Sequence, residues 1–220
     1  MPVLFLHGWG GNARSFASAM NYFASGGRTC VAPDFPPFGS SSQPPENWSL
    51  GDYTDMTVAL LDKLGIEKAV VVGHSFGGRV AIDLASRTER VAKLALVDAA
   101  GLRPRRGIKY RLRRARFRLA KAAGTDTQKF YSPDWRALPP AMRGVFARVV
   151  AEDLTPRLPY ITCPTLIVWG DKDRDTPPYM AKRLHKGIKN SKIAMIDGGH
   201  FAYAERHFAF VATLSDFIGD

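Results

Sequence analysis

Short runs of consecutive apolar residues alternate along the chain with stretches in which apolar positions return every three or four residues. The apolar runs fall at 3–6, 29–32, 69–72, 91–97, 165–169 and 193–196. Amphipathic stretches fall at 15–24, from Ser49 through Leu61 and Leu64, at 77–86, and at 205–218. Ser49, with Asp52 three residues on, has the spacing of a capped helix start. The runs are apolar throughout instead of alternating, which predicts strands buried on both faces. Strand–helix alternation then predicts an α/β fold, with a mostly parallel sheet of about six strands and helices on both faces. Residues 101–158 break the rhythm: they carry no strand pattern, only a basic run, prolines at 133, 139 and 140, and a helical stretch near 142–152. The division expected is a core of 1–100 and 159–220, with 101–158 an inserted helical cap over the strand ends.

Composition and the motifs the chain lacks narrow this picture further. The chain has 220 residues, 45% hydrophobic and 23% charged, which suits one globular domain and excludes general disorder. No apolar run approaches the roughly 18 residues of a membrane span. The opening Met1-Pro2-Val3-Leu4 has neither the basic flank nor the small-residue cleavage site of a secretory signal, so a cytoplasmic location is expected. Cys30 and Cys163 each sit beside an apolar stretch and are expected as two partly buried free thiols. No Cys-x-x-Cys or His-x-x-x-His pair is present, so no metal and no cofactor are expected.

The net charge of +11 is local. Ten basic residues lie between Arg103 and Lys121, with no acid between Asp98 and Asp126, and the rest of the chain is almost neutral. Ile108, Leu112, Ala115, Leu119 and Ala122 recur through this segment at helical spacing. The plainest reading is a cap helix with that stripe on the core and a solvated basic face. Attraction of anionic substrates and weak contact with a membrane surface are the other readings open to it. Nucleic-acid binding is not expected, because no recognition motif accompanies the charge.

The chemistry starts at Gly73-His74-Ser75-Phe76-Gly77, a G-x-S-x-G element with a strand leading in and a helix leading out. A strand-to-helix turn this sharp needs its glycines and lifts the Ser75 hydroxyl toward a helix N-terminus. The hydroxyl needs a base. His200, in a Gly-rich loop after the last strand, is placed for it, whereas His185 and His207 read as solvated and His7 as a loop holder. The imidazole in turn needs a carboxylate. Asp171, Asp173 and Asp175 follow the 165–169 strand, and Asp98 ends the strand before it. Backbone N–H groups of Phe76 and of Trp9, in His7-Gly8-Trp9-Gly10-Gly11, are candidates for an oxyanion hole. His74 and Phe201 are candidate substrate contacts.

Along nearly its whole length the chain resembles the α/β-hydrolase superfamily. The resemblance rests on the HGWGG loop, Asp34 to Ser41, the serine element with Gly78, Trp169-Gly170-Asp171-Lys172-Asp173 with Pro177, and Gly199-His200-Phe201 with Glu205. In that pattern the acid ends a Gly-x-x-Asp element, which selects Asp173 and completes a Ser75–Asp173–His200 triad. The resemblance also implies a fold lacking the two strands usual before the first one here. Epoxide hydrolases and haloalkane dehalogenases carry Asp where Ser75 stands, and are disfavoured. The HGWGG opening and compact cap resemble small-acyl carboxylesterases, including the pimeloyl-ester hydrolase type. The implied function is hydrolysis of carboxylic esters of small to medium acyl compounds through an acyl-enzyme. The alternatives are a carbon–carbon hydrolase of ring-cleavage dienones, which often carries Asn where His74 stands, a perhydrolase or acyltransferase, and a non-catalytic ligand receptor.

Overall fold

The structure is a computed structural model that describes residues 1–105, 107–127, 130–131 and 133–219. The described chain forms β1 (Val3–Leu6), α1 (Ala17–Ser25), β2 (Cys30–Val31), α2 (Leu50–Lys63), β3 (Ala69–His74), α3 (Phe76–Arg87) and β4 (Val91–Val97). It continues through α4 (Ile108–Ala122), α5 (Pro133–Ala137), α6 (Pro140–Ala151), β5 (Thr165–Gly170), α7 (Tyr179–Gly187), β6 (Ser191–Ile196), α8 (Ala202–Glu205) and α9 (His207–Ile218). The six strands form one sheet in the order β2-β1-β3-β4-β5-β6. All five pairings are parallel, as the uniformly apolar runs predict.

Each face of the sheet has its own core. Leu4, Leu6, Val71, Leu96, Ile167 and Trp169 point to the side covered by α2, α3 and α7. Val3, Phe5, Val70, Val72, Val97 and Val168 point to the side of α1 and α9. Burying both faces this way removes apolar surface from water at roughly 25 cal/mol per Å², which is the main drive for this architecture. The α2 start is capped as its spacing predicts: the Ser49 N–H donates to Asp52 Oδ2 at 2.7 Å.

Two boundaries differ from the sequence pattern. The run at 29–32 pairs only over Cys30–Val31, at the sheet edge. The stretch at 205–218 is not one helix, because Arg206 (φ −124°, ψ 49°) leaves helical geometry between α8 and α9. The cysteines lie four strands apart in a sheet with roughly 4.8 Å between neighbours, and both are free.

The segment between β4 and β5 corrects one expectation. The apolar stripe of α4 does not face the core: Leu112 is 56% and Leu119 70% exposed, and Ala115 and Ala122 are exposed as well. The side chains of Ile108, Arg111 and Arg113 lie outside the described ones. The helix instead turns Phe117 inward, 5.8 Å from the Phe130 ring and 6.0 Å from Tyr131. Tyr131 in turn stacks on Trp135 at 3.7 Å. An aromatic cluster is a better partner for one ring than open solvent, and satisfying it rotates the leucines outward. The next helix, α6, does join the core, through Met142, Val145 and Val149.

The sheet order reverses direction between β1 and β3, since β2 lies on one side of β1 and β3 on the other. In open parallel sheets the crevice at such a switch point, beyond the carboxyl ends of the strands, is where ligands bind. The loop after β1 carries Gly8 and Trp9, and the turn after β3 carries Ser75.

Candidate active site

Ser75 sits in a strained turn, with φ 49° and ψ −110°. A non-glycine residue there costs on the order of 1–3 kcal/mol and persists only where its surroundings enforce it. The Ser75 N–H donates to the Val97 carbonyl at 3.0 Å, and its own carbonyl accepts from Ala100 and Gly78 at 3.0 and 3.1 Å. The turn also packs directly on β1: a Cβ on Gly77 would collide with the Leu6 carbonyl, and one on Gly73 would come within 2.5 Å of the Gly77 carbonyl. These approaches explain the G-x-S-x-G spacing physically.

Two loops from distant parts of the chain meet the serine. His200, between β6 and α8, accepts the Ser75 hydroxyl at Nε2, 3.0 Å away. Its Nδ1 lies 2.8 Å from Asp173 Oδ2 in the turn after β5. Asp173 is saturated with donors. Its Oδ1 accepts from the Asp175 and Thr176 N–H groups at 2.8 and 3.0 Å, and its Oδ2 accepts from the Thr176 hydroxyl at 2.6 Å. Burial pushes the Asp173 carboxyl up, but the hydrogen bonds from His200 and Thr176 outweigh it and hold its pKa below the usual carboxylate value. Burial likewise pulls His200 down, and its hydrogen bond to Asp173 more than reverses this, so its pKa is raised. An ionised Asp173 therefore fixes the imidazole proton on Nδ1 and leaves the Nε2 lone pair facing Ser75.

The other carboxylates lie outside this hydrogen-bonded line, though Asp98 is near enough to interact with the Asp173 carboxyl and to help raise the pKa of His200. Asp98, with φ 44°, is fully buried, and its Oδ1 accepts the Gly170 N–H at 2.7 Å. Burial raises its pKa to about 8, so it is a neutral acid at neutral pH. Asp171 is exposed and accepts the Gly198 N–H. Asp175 is exposed at the cavity rim and adds to the raised pKa of His200. Asp173, Asp175 and His200 are close enough to present ligand atoms to a cation. Both nitrogens of His200 are already committed, one to Asp173 and one to Ser75.

These groups line a cavity of about 480 Å³ whose apolar walls include Trp9, Phe76, Phe146, Val149 and Tyr203. The Trp9 ring lies 5.0 Å from Phe146 and 5.1 Å from Phe76, which fixes the loop after β1 beside the serine. Among the described residues the Trp9 N–H has no hydrogen-bond partner. The Phe76 N–H, at the first position of α3, has none to find within the helix. His7 holds this loop from below: Nδ1 bonds the Gly8 carbonyl and Nε2 accepts from Phe35, both at 2.8 Å. His74 is buried, and its Nε2 bonds the His200 carbonyl at 2.8 Å. Burial, together with His200 nearby, takes the His74 pKa to about 3, so it supports the His200 loop as a neutral ring. Phe201 is half exposed at the rim.

Two residues in this site escape the sequence pattern. Thr176 ties Asp173 to β4, and the signal was its position three residues after the acid, the spacing of a side-chain-to-backbone turn. Arg79 lies one helical turn after Ser75 and is buried in the cavity wall. Its guanidinium donates to the Glu152 and Val150 carbonyls at 2.9 and 3.2 Å, bracing the C-terminal end of α6. Among the described residues no carboxylate pairs with it.

The sequence model described as the Alpha/beta hydrolase family matches residues 3–214. The AB hydrolase superfamily protein YisY of Bacillus subtilis (strain 168) is 32% identical, over 93% of this chain and 86% of that protein. A 2-hydroxymuconate semialdehyde hydrolase of Pseudomonas sp. (strain CF600) is 38% identical over 46% of this chain and 37% of its own. The crystal structure of a bromoperoxidase from Bacillus anthracis superimposes with a TM-score of 0.79 at 25% identity, covering 100% of this chain and 92% of that one.

Proposed function

The chain belongs to the alpha/beta hydrolase family, and from that footing we propose that it is a serine hydrolase cleaving carboxylic esters of small to medium acyl compounds. The observation that carries the reading is the unbroken hydrogen-bonded line Asp173–His200–Ser75 on the wall of an apolar cavity. Ser75 Oγ attacks the ester carbonyl while His200 Nε2 takes its proton, and the ionised Asp173 steadies the resulting imidazolium. The oxyanion forms toward the Trp9 and Phe76 N–H groups. The alkoxide leaves with the proton from Nε2, and water then hydrolyses the acyl-enzyme by the same steps reversed. Residues 101–158 serve as a cap over a core made of 1–100 and 159–220, with α6 closing the cavity.

The charges around the cavity support a substrate whose acyl limb ends in a carboxylate. The leaving alcohol departs on the His200 side, beside the carboxylate of Asp175, where an anion is repelled. Arg79, one helical turn after Ser75 on α3, lines the same cavity and is the one cationic side chain among its described lining residues.

Labelling with a fluorophosphonate tests the nucleophile: Ser75→Ala should neither label nor turn over an activated ester while keeping its fold. Turnover by that variant at the wild-type rate would overturn the reading. A second reading, carbon–carbon hydrolysis, is favoured by the similarity to the 2-hydroxymuconate semialdehyde hydrolase over nearly half the chain. A panel of monomethyl and dimethyl esters of dicarboxylic acids beside a ring-cleavage dienone decides between them. The ester reading expects the monoesters to have the highest kcat/KM. Faster dienone cleavage would select the alternative.

A further inference from the structure

We propose that helix α4 is an interfacial helix that seats the protein on an anionic lipid surface. The inference is independent of the ester reading and rests on where two faces of one helix point. At 3.6 residues per turn, Leu112, Ala115, Leu119 and Ala122 share one narrow face, and Phe117 lies about 160° away from Leu119. The helix is held to the protein by the Phe117 side, and Leu112, Ala115, Leu119 and Ala122 are all exposed. An apolar stripe that a helix turns away from its own protein is a surface waiting for a partner.

The charge around the stripe says which partner. Arg114, Arg116, Arg118 and Lys121 are exposed, and none is ion-paired among the described residues. The sequence Ile108–Ala122 contains no acid at all. A leucine stripe bordered by arginines and lysines is the composition of a helix that lies in the plane of a bilayer. The leucines enter the acyl boundary, and the cations stay at the headgroup phosphates on stems long enough to snorkel. At 15 residues the helix is about 22 Å long. That is too short to span, and no described helix is long and apolar enough to cross a membrane. The other partners use only half of the surface. A nucleic acid would neutralise the arginines but leave Leu112 and Leu119 in water. A second copy of the chain, stripe to stripe, would bring two strongly basic faces together.

Sedimentation of the full chain with vesicles of phosphatidylcholine, with and without phosphatidylglycerol, tests this. The protein should pellet with the mixed vesicles, weakly or not at all with phosphatidylcholine alone, and less as salt rises, because exposed charges are screened within about 8 Å at physiological ionic strength. The double variant Leu112→Ser, Leu119→Ser should lose about tenfold or more of that binding, consistent with removing two buried leucines. It should keep its melting temperature and its vesicle-free turnover of a soluble ester. Arg114→Gln with Arg118→Gln should reduce the preference for phosphatidylglycerol. Failure to pellet with the anionic vesicles overturns the proposal and leaves an acidic protein surface as the fitting partner. Undiminished binding by the leucine variant overturns it too, since charge alone would then hold any polyanion.

Discussion

Replacing Asp173 by Asn should do more than remove a charge: the hydrogen bonds around it force a change of tautomer on His200. The Asp175 and Thr176 N–H groups both donate to Oδ1, so the asparagine carbonyl oxygen must take that position. Its NH₂ then occupies the Oδ2 position, 2.8 Å from His200 Nδ1. Thr176 does not oppose this, because its hydroxyl has a second acceptor in the Asp98 carbonyl at 3.0 Å. An NH₂ aimed at Nδ1 requires a lone pair there and drives the imidazole proton to Nε2. That nitrogen can then no longer accept from Ser75. The equivalent substitution in a serine protease lowers turnover about 10⁴-fold, and the same loss is expected here, a rise of roughly 5.5 kcal/mol in the barrier. The assay is kcat/KM for an activated ester at neutral pH, with circular dichroism and a thermal melt to show that the fold is kept. A folded Asp173→Asn protein retaining more than about a tenth of the wild-type kcat/KM would refute both the tautomer argument and the choice of acid.

The base must be neutral to act and its pKa is raised, so kcat/KM should fall with acid along a single limb whose midpoint lies above the 6.5 of a free imidazole. Asp175→Asn removes one of the charges that raise it and should move the midpoint down; a midpoint at or below 6.5 in the wild type would contradict this electrostatic picture. Asp98→Asn should leave turnover within about threefold, since Asp98 is already neutral at pH 7 and does not touch His200. Its folded pKa of about 8 lies above the unfolded 3.8, so the folded state binds the extra proton between those values and wild-type stability falls as pH rises through them. Melts at pH 5 and pH 8 should show the Asn variant gaining on the wild type toward pH 8. Both cysteines should titrate with a thiol reagent in denaturant without reductant, and an intramolecular disulfide would be incompatible with their places in the sheet.

The parts of the site that were legible in the sequence are those enforced by close backbone approach. A serine between glycines after an apolar run is readable because Gly73 and Gly77 have no room for a Cβ, whatever the rest of the chain does. The choice among Asp171, Asp173 and Asp175 was not readable from spacing, because three acids in five residues have equal access on paper. What separates them is that two consecutive N–H groups and a hydroxyl all converge on Asp173. Arg79 was hidden for a similar reason. A basic residue on a helix reads as solvated until α6 is known to end above it and offer its carbonyls. In α4 the periodicity located an apolar face correctly but carried no information on its direction. That depended on where Phe130, Tyr131 and Trp135 placed their rings.

The long-range meeting in the site follows from sheet order, and that order explains how residues 125 positions apart come within one hydrogen bond. Local rules place each reactive group at the carboxyl end of its own strand: Ser75 after β3, Asp173 after β5 and His200 after β6. Parallel pairing puts all these ends on one edge of the sheet. β4 separates the serine from the acid by two strand spacings, roughly 10 Å. A side chain at either end could not bridge that distance, so the imidazole has to come from a loop long enough to fold back over β5. Glycines permit that return: a Cβ on Gly198 would come within 3.0 Å of Ala202, and one on Gly170 would collide with the Gly199 carbonyl. Glu205 then anchors the loop, its carboxylate accepting the Gly199 N–H at 2.8 Å. On this reasoning Glu205 is a positioning residue. Glu205→Ala should lower kcat by roughly tenfold or more through loss of the charged hydrogen bond that holds the loop, without altering the inhibitor-labelled fold. Glu205→Gln, which can still accept the N–H, should recover most of it. Equal losses in the two variants would mean that the loop is held some other way.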